Sequence, residues 1–62
     1  MSDFQPGDRV AALDYVTLKP GLHGTVVERN EISPQFFFIL FDGYKEPWGY
    51  HGNWLVLEQT LS

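Results

Sequence analysis

Six consecutive apolar residues, Phe36 to Phe41 in the run QFFFILF, constrain this chain more than any other feature. A strand with one wet face alternates apolar and polar side chains. Here Phe36, Phe38 and Leu40 point one way and Phe37, Ile39 and Phe41 the other, so both faces are apolar. Six residues suit a buried strand and are far too few to cross a bilayer as a helix. The chain must therefore build a sheet around this segment and deal with apolar surface on both sides of it.

The whole chain has 62 residues, enough for one domain. A domain of this size buries only about 60% of the surface its unfolded chain exposes. There is no cysteine to staple it, which excludes disulfides and thiolate metal sites and suits a reducing, cytoplasmic setting. Five Phe, three Tyr and two Trp supply the mass of the core instead. The first nine residues, MSDFQPGDR, hold neither a basic region nor an apolar stretch, so no signal peptide or membrane span is expected.

Turn residues divide the rest into short strands. Residues 1–7 read as a lead-in closed by Pro6-Gly7. Residues 8–13 read as a first strand with Val10 and Ala12 on one face. Residues 14–23 read as a long connection with a turn at Lys19-Pro20-Gly21, and Gly24 as the entry to a second strand over 25–29. A loop over 30–34 leads into the Phe-rich strand, which Asp42-Gly43 closes. Residues 44–53 read as an irregular loop around a short edge strand, because Pro47, Gly49 and Gly52 oppose a long regular element. A single helical turn around Asn53–Leu55 precedes a last strand over 55–58. No segment carries the 3.6-residue stripe of an amphipathic helix. Five short strands at close spacing predict an all-β domain closed as a small barrel.

Four segments resemble SH3-like barrels of the KOW and photosystem I accessory-protein kind. FQPGDRV at 4–10 is similar to their "pGdrV" opening, GLHGTVVE at 21–28 to their "GxxGtV" strand, FILFDG at 38–43 to "VxFdg", and NWLVLE at 53–58 to the short turn and last strand. Ala12-Leu13-Asp14-Tyr15 and Asn53-Trp54 also look like the "ALYDY" and "SNY" elements of signalling SH3 domains. The FxxGD-type element precedes ALDY here, however, and the paired tryptophans are missing. The resemblance implies a five-stranded SH3-like barrel with a short 3-10 turn before the last strand, with Phe37, Ile39 and Phe41 facing its core. It also implies a mode of action: a small barrel, without a cofactor of its own, serving a larger assembly.

Two sets of residues remain for function. The first is aromatic: Tyr44, Trp48 and Tyr50, with Tyr15 beside them and Asp42, Glu46 and Asp14 around them. Trp and Tyr offer large rigid area with a polar tip and dominate binding hot spots. Trp54, at the start of the last strand, reads as core. The second set is the outer stripe Phe36, Phe38 and Leu40, to be covered either by one of the long loops or by a partner.

Catalytic chemistry is not legible. His23 and His51 have no metal-ligand spacing, no serine lies in a GxSxG setting, and no glycine run leads into Lys-Ser or Lys-Thr. No enzyme activity, cofactor or metal is expected. The formal charge of −4, with only Arg9, Lys19, Arg29 and Lys45 as cations, disfavours nucleic acid, whose binding rests on Lys and Arg at phosphates. The sequence therefore points to a non-catalytic protein-binding module acting as accessory subunit, adaptor or small inhibitor, its partner presenting a basic surface. A KOW-like nucleic-acid-binding domain and a homo-oligomeric structural protein are the alternatives.

Overall fold

The computed structural model describes residues 4–61, with side chains described through residue 59. Five strands appear in it: β1 (Arg9–Leu13), β2 (Pro20–Arg29), β3 (Phe36–Phe41), β4 (Trp48–His51) and β5 (Leu55–Leu57). All pair antiparallel in one sheet of order β4-β3-β2-β1-β5. A 3-10 turn, Gly52–Trp54, joins β4 to β5, and a second, Glu58–Leu61, follows β5. Among the described residues no ladder joins β4 to β5, so the sheet is open and the barrel closure expected from the sequence is absent from its hydrogen bonding. Among the described residues no helix is long and apolar enough to cross a membrane.

Both faces of β3 follow its alternation. Phe37, Ile39 and Phe41 are buried to 1%, 0% and 3% exposure and form the core with Val10, Ala12, Val26 and Leu55. Burying an aromatic or branched aliphatic side chain stabilises by roughly 1.5–3 kcal/mol, so these few residues carry most of the hydrophobic driving force. Phe4 completes the core from outside the sheet, its ring edge-on to Phe37 at 5.3 Å. The lead-in is thus partly structural, while residues 1–3 lie outside the described residues. A turn over Gln5–Asp8 aims Phe4. Gly7 adopts φ 96°, which a side chain would resist, and its N–H donates to the Val26 carbonyl at 2.8 Å.

The second strand departs from expectation at its start. It begins at Pro20, so Pro20-Gly21 lies within it and the preceding connection shrinks to residues 14–19. An irregularity in the β1–β2 register between Ala11 and Leu13 absorbs the extra residue there. Gly24 is therefore a mid-strand residue, paired with both Val10 and Phe41. A β-carbon on it would come within 2.7 Å of the Leu40 carbonyl oxygen and 2.9 Å of Phe41 Cα. The close approach of β3 to β2 requires glycine here.

Further along β2, the register shifts between Val26 and Glu28, leaving Val27 as an extra residue. This β-bulge turns Glu28 outward opposite Phe38 and Arg29 inward opposite Phe37. The Arg29 guanidinium then sits 5.1 Å from the centre of the Phe37 ring, covering it by a cation–π contact.

Candidate binding face

Directly paired strand residues share a face. Trp48 pairs with Ile39 and Tyr50 with Phe37, so both project on the core side of the sheet, beyond the edge of the core itself. Tyr50 packs partly buried against the core, whereas Trp48 keeps 57% of its surface. Phe41 links the two regions. Its ring meets Tyr50 edge-on at 5.6 Å and Tyr44 at 6.0 Å, and Tyr44 meets Trp48 at 6.2 Å and 90°.

Tyr15 extends the row at its other end. It lies in the 14–19 connection, which Asp14 organises: one carboxylate oxygen accepts from the Val16 N–H at 2.7 Å and the Thr17 N–H at 2.9 Å. The Asp14 N–H donates to the Lys19 carbonyl at 3.0 Å and closes the loop. Held this way, Tyr15 lies parallel to Tyr50 with centroids 6.3 Å apart and edge-on to Trp54 at 4.8 Å. A continuous strip of ring contacts results, running Trp54, Tyr15, Tyr50, Phe41, Tyr44, Trp48.

Two shallow grooves of about 220 Å³ each lie along this strip and share Leu22 and Tyr50. Tyr44 and Trp48 line one. Asp14 and Leu13 line the other. Two backbone N–H bonds, to Thr17 and then Val16, hold the Asp14 carboxyl below its ordinary range, so it stays ionised at neutral pH. Desolvation first, then the neighbouring Tyr15 and the Asp14 charge, push the Tyr50 phenol upward, so it stays neutral. The strip is thus largely apolar, with the ionised Asp14 on its flank.

Phe36, Phe38 and Leu40 lie on the opposite face. Neither long loop buries them: Phe36 and Leu40 keep 38% and 37% of their surface. Phe36 packs edge-on against His51 at 5.0 Å, and the Phe38 ring lies over Gly49. The two sets of candidate residues read from the sequence therefore occupy opposite sides of the sheet and do not form one surface.

Asp42 is engaged elsewhere. Its two oxygens accept from Arg9 Nη1 and Nη2 at 2.9 and 2.7 Å, and Arg9 also bonds Glu58 at 3.1 Å and Thr25 at 3.1 Å. His23 Nδ1 lies 2.8 Å from the same Glu58 carboxylate. Hydrogen bonding to Arg9 lowers the Asp42 pKa, hydrogen bonding to His23 and then Arg9 lowers that of Glu58, and both carboxylates raise that of Arg9. A larger hollow of about 670 Å³ adjoins Arg9 and Glu58, which are paired with each other, and it shares no residue with the aromatic strip. Glu46 is exposed in the connection between β3 and β4.

Two members of the strip are not legible as such in the sequence. Trp54, expected in the core, is only half-buried, and its ring meets Tyr15 instead. Leu22, 49% exposed, joins the strip because β2 starts at Pro20. The chain matches no protein-family model, and no curated protein matches it significantly in sequence.

Proposed function

We propose that this chain is a non-catalytic protein-binding module that uses the aromatic strip, as an accessory subunit, adaptor or small inhibitor of a larger protein complex in the cytoplasm. The observation that carries this is the unbroken row of ring contacts from Trp54 to Trp48, with Tyr15, Tyr44 and Trp48 left 63%, 44% and 57% exposed. Rings held by one another lose little freedom on binding, and Tyr and Trp are the residues most often found in hot spots. The ionised Asp14 on the flank and the net charge of −4 favour a partner segment with a basic group.

We read the open sheet as a five-stranded SH3-like barrel. The order β4-β3-β2-β1-β5 and the 3-10 turn between β4 and β5 support that reading. In such a fold the strip lies between the 14–19 and 42–47 connections, where loops held by a sheet commonly carry recognition.

Proteins captured from host extract on the wild-type chain should be lost from the Tyr44→Ala and Trp48→Ala variants, each with at least about a tenfold fall in affinity. Far-ultraviolet circular dichroism should be unchanged, because both side chains lie outside the buried core. Undiminished capture by both variants overturns the proposal.

A further inference from the structure

We propose that two copies of this chain pair through β4, antiparallel about a two-fold axis at Gly49. The proposal goes beyond the binding of a foreign partner and rests on the free edge of the sheet. Among the described residues β4 is a terminal strand with a ladder on one side only. The other terminal strand, β5, has three residues and a 3-10 turn at each end, which leaves little edge to pair. Edge strands are commonly protected by charge. β4 reads WGYH and carries no Lys, Arg, Asp or Glu, in a chain that is otherwise acidic.

The direction of each backbone group on β4 follows from one hydrogen bond. The Gly52 N–H donates to the Gln35 carbonyl at 2.8 Å, and these two residues continue the β3–β4 register. In an antiparallel ladder bonded pairs alternate with unbonded ones. Tyr50 and Trp48 therefore also point their backbone groups at β3, and Gly49 and His51 point theirs away from it.

His51 offers only its donor. It is the N-cap of the 3-10 turn Gly52–Trp54: its side chain accepts from the Asn53 N–H, and the i→i+3 pattern of such a turn commits its carbonyl to Trp54. Pro47, two residues before Gly49, offers only a carbonyl. A second copy centred on Gly49 matches these gaps. Gly49 exchanges two bonds with Gly49 of the other copy, and each His51 N–H reaches the Pro47 carbonyl opposite. The donor that proline lacks falls opposite the carbonyl that His51 has already committed. The four bonds leave no group on this edge without a partner.

Side chains fit the same register. Trp48 of each copy faces Tyr50 of the other, an aromatic pair of the kind that stabilises neighbouring strands. On the outer side the two glycines meet with no side chain between them. A strand glycine often marks close approach of another backbone. The Phe38 rings that lie over them come together and cover part of the outer apolar stripe.

Two substitutions isolate the edge from the fold. A β-carbon at Gly49 would meet only the Phe38 ring, at an ordinary 3.9 Å. Gly49→Lys is thus tolerated within one copy and puts like charges on the two-fold axis. His51 has φ −72°, already suited to proline. His51→Pro removes two of the four bonds without touching the β3 ladder, and His51→Ala is the control that keeps the N–H. Sedimentation equilibrium of the full chain should show a dimer for the wild type and His51→Ala. His51→Pro should dissociate at least about tenfold more readily, and Gly49→Lys should be a folded monomer by circular dichroism. A wild-type monomer up to about 1 mM, or a dimer that neither Gly49→Lys nor His51→Pro weakens, overturns the proposal.

Discussion

Arg9 grips Asp42 with two parallel hydrogen bonds of 2.9 and 2.7 Å, tying the first strand to the turn that ends the third. The same guanidinium reaches Glu58, just past the last strand. One side chain thus joins three parts of the chain that lie far apart in sequence.

Acid should weaken this connection. Asp42 and Glu58 have folded pKa values below their ordinary 3.8 and 4.5. The unfolded chain therefore takes up protons first as pH falls. The contribution is complete above about pH 5 and is lost as pH drops through the folded values. The thermal midpoint should decline below about pH 4, and Arg9→Met should flatten the decline. An acid profile unchanged by Arg9→Met would show that Asp42 and Glu58 titrate independently of Arg9. At neutral pH the substitution should lower the midpoint by the amount that acid removes from the wild type, a modest one because all three groups are exposed to solvent and screened.

Gly24→Ala should be severely destabilising. The new methyl group would press on the Leu40 carbonyl and Phe41 Cα, which are backbone and cannot swing aside. The expected loss is about 2–3 kcal/mol. A domain of this size has roughly 3–9 kcal/mol in total. Urea denaturation measures the loss directly, and a change under about 0.5 kcal/mol would mean that β2 and β3 separate more easily than their register implies.

Alkali tests the buried side of the aromatic strip. The Tyr50 phenol is raised above its ordinary 10.0, so the unfolded chain loses that proton first. The stability this confers is present below the ordinary value and disappears as pH climbs through the folded one. Titration followed by phenolate absorbance should show a late-ionising step that Tyr50→Phe removes. A titration with no late step attributable to Tyr50 would place its phenol in solvent.

Leu18 has a φ of 58° and is 58% exposed. Leucine resists this left-handed conformation, which asparagine adopts readily. Leu18→Asn should therefore raise stability by about 0.5 kcal/mol, seen as a higher thermal midpoint. A lower midpoint would reveal packing by the Leu18 side chain that outweighs the strain.

The strand content is legible in the sequence because its signals are local. Six apolar residues in a row, Gly43 after Asp42 and the short final Leu-Val-Leu each announce themselves within a few positions. What stays hidden depends on distant neighbours. Phe4 looks like part of a polar lead-in until its ring is seen against Phe37. Pro20-Gly21 carries a turn signature, yet pairing with Leu13 draws Pro20 into a strand. The same limit applies to the candidate face. Tyr44, Trp48 and Tyr50 stand close together in the sequence and are visible as a cluster. That Trp54 leans on Tyr15, and that Asp42 belongs to Arg9, follow only from how strands far apart in the chain are laid side by side.

The extra residue at Val27 sets the phase of the second strand. Before it, even-numbered residues such as Gly24 and Val26 face inward; after it, the odd-numbered Arg29 does. The strand is in effect two short words read in different frames. Ironing out the bulge with every residue kept would run both words in the first frame, with Val27 opposite Phe38 and Glu28 opposite Phe37. A cation resting on an aromatic face would become an anion pressed against it. The order of Glu28 and Arg29 thus guards against a one-residue slip, because the slipped strand would bring the wrong sign of charge to the edge of the core.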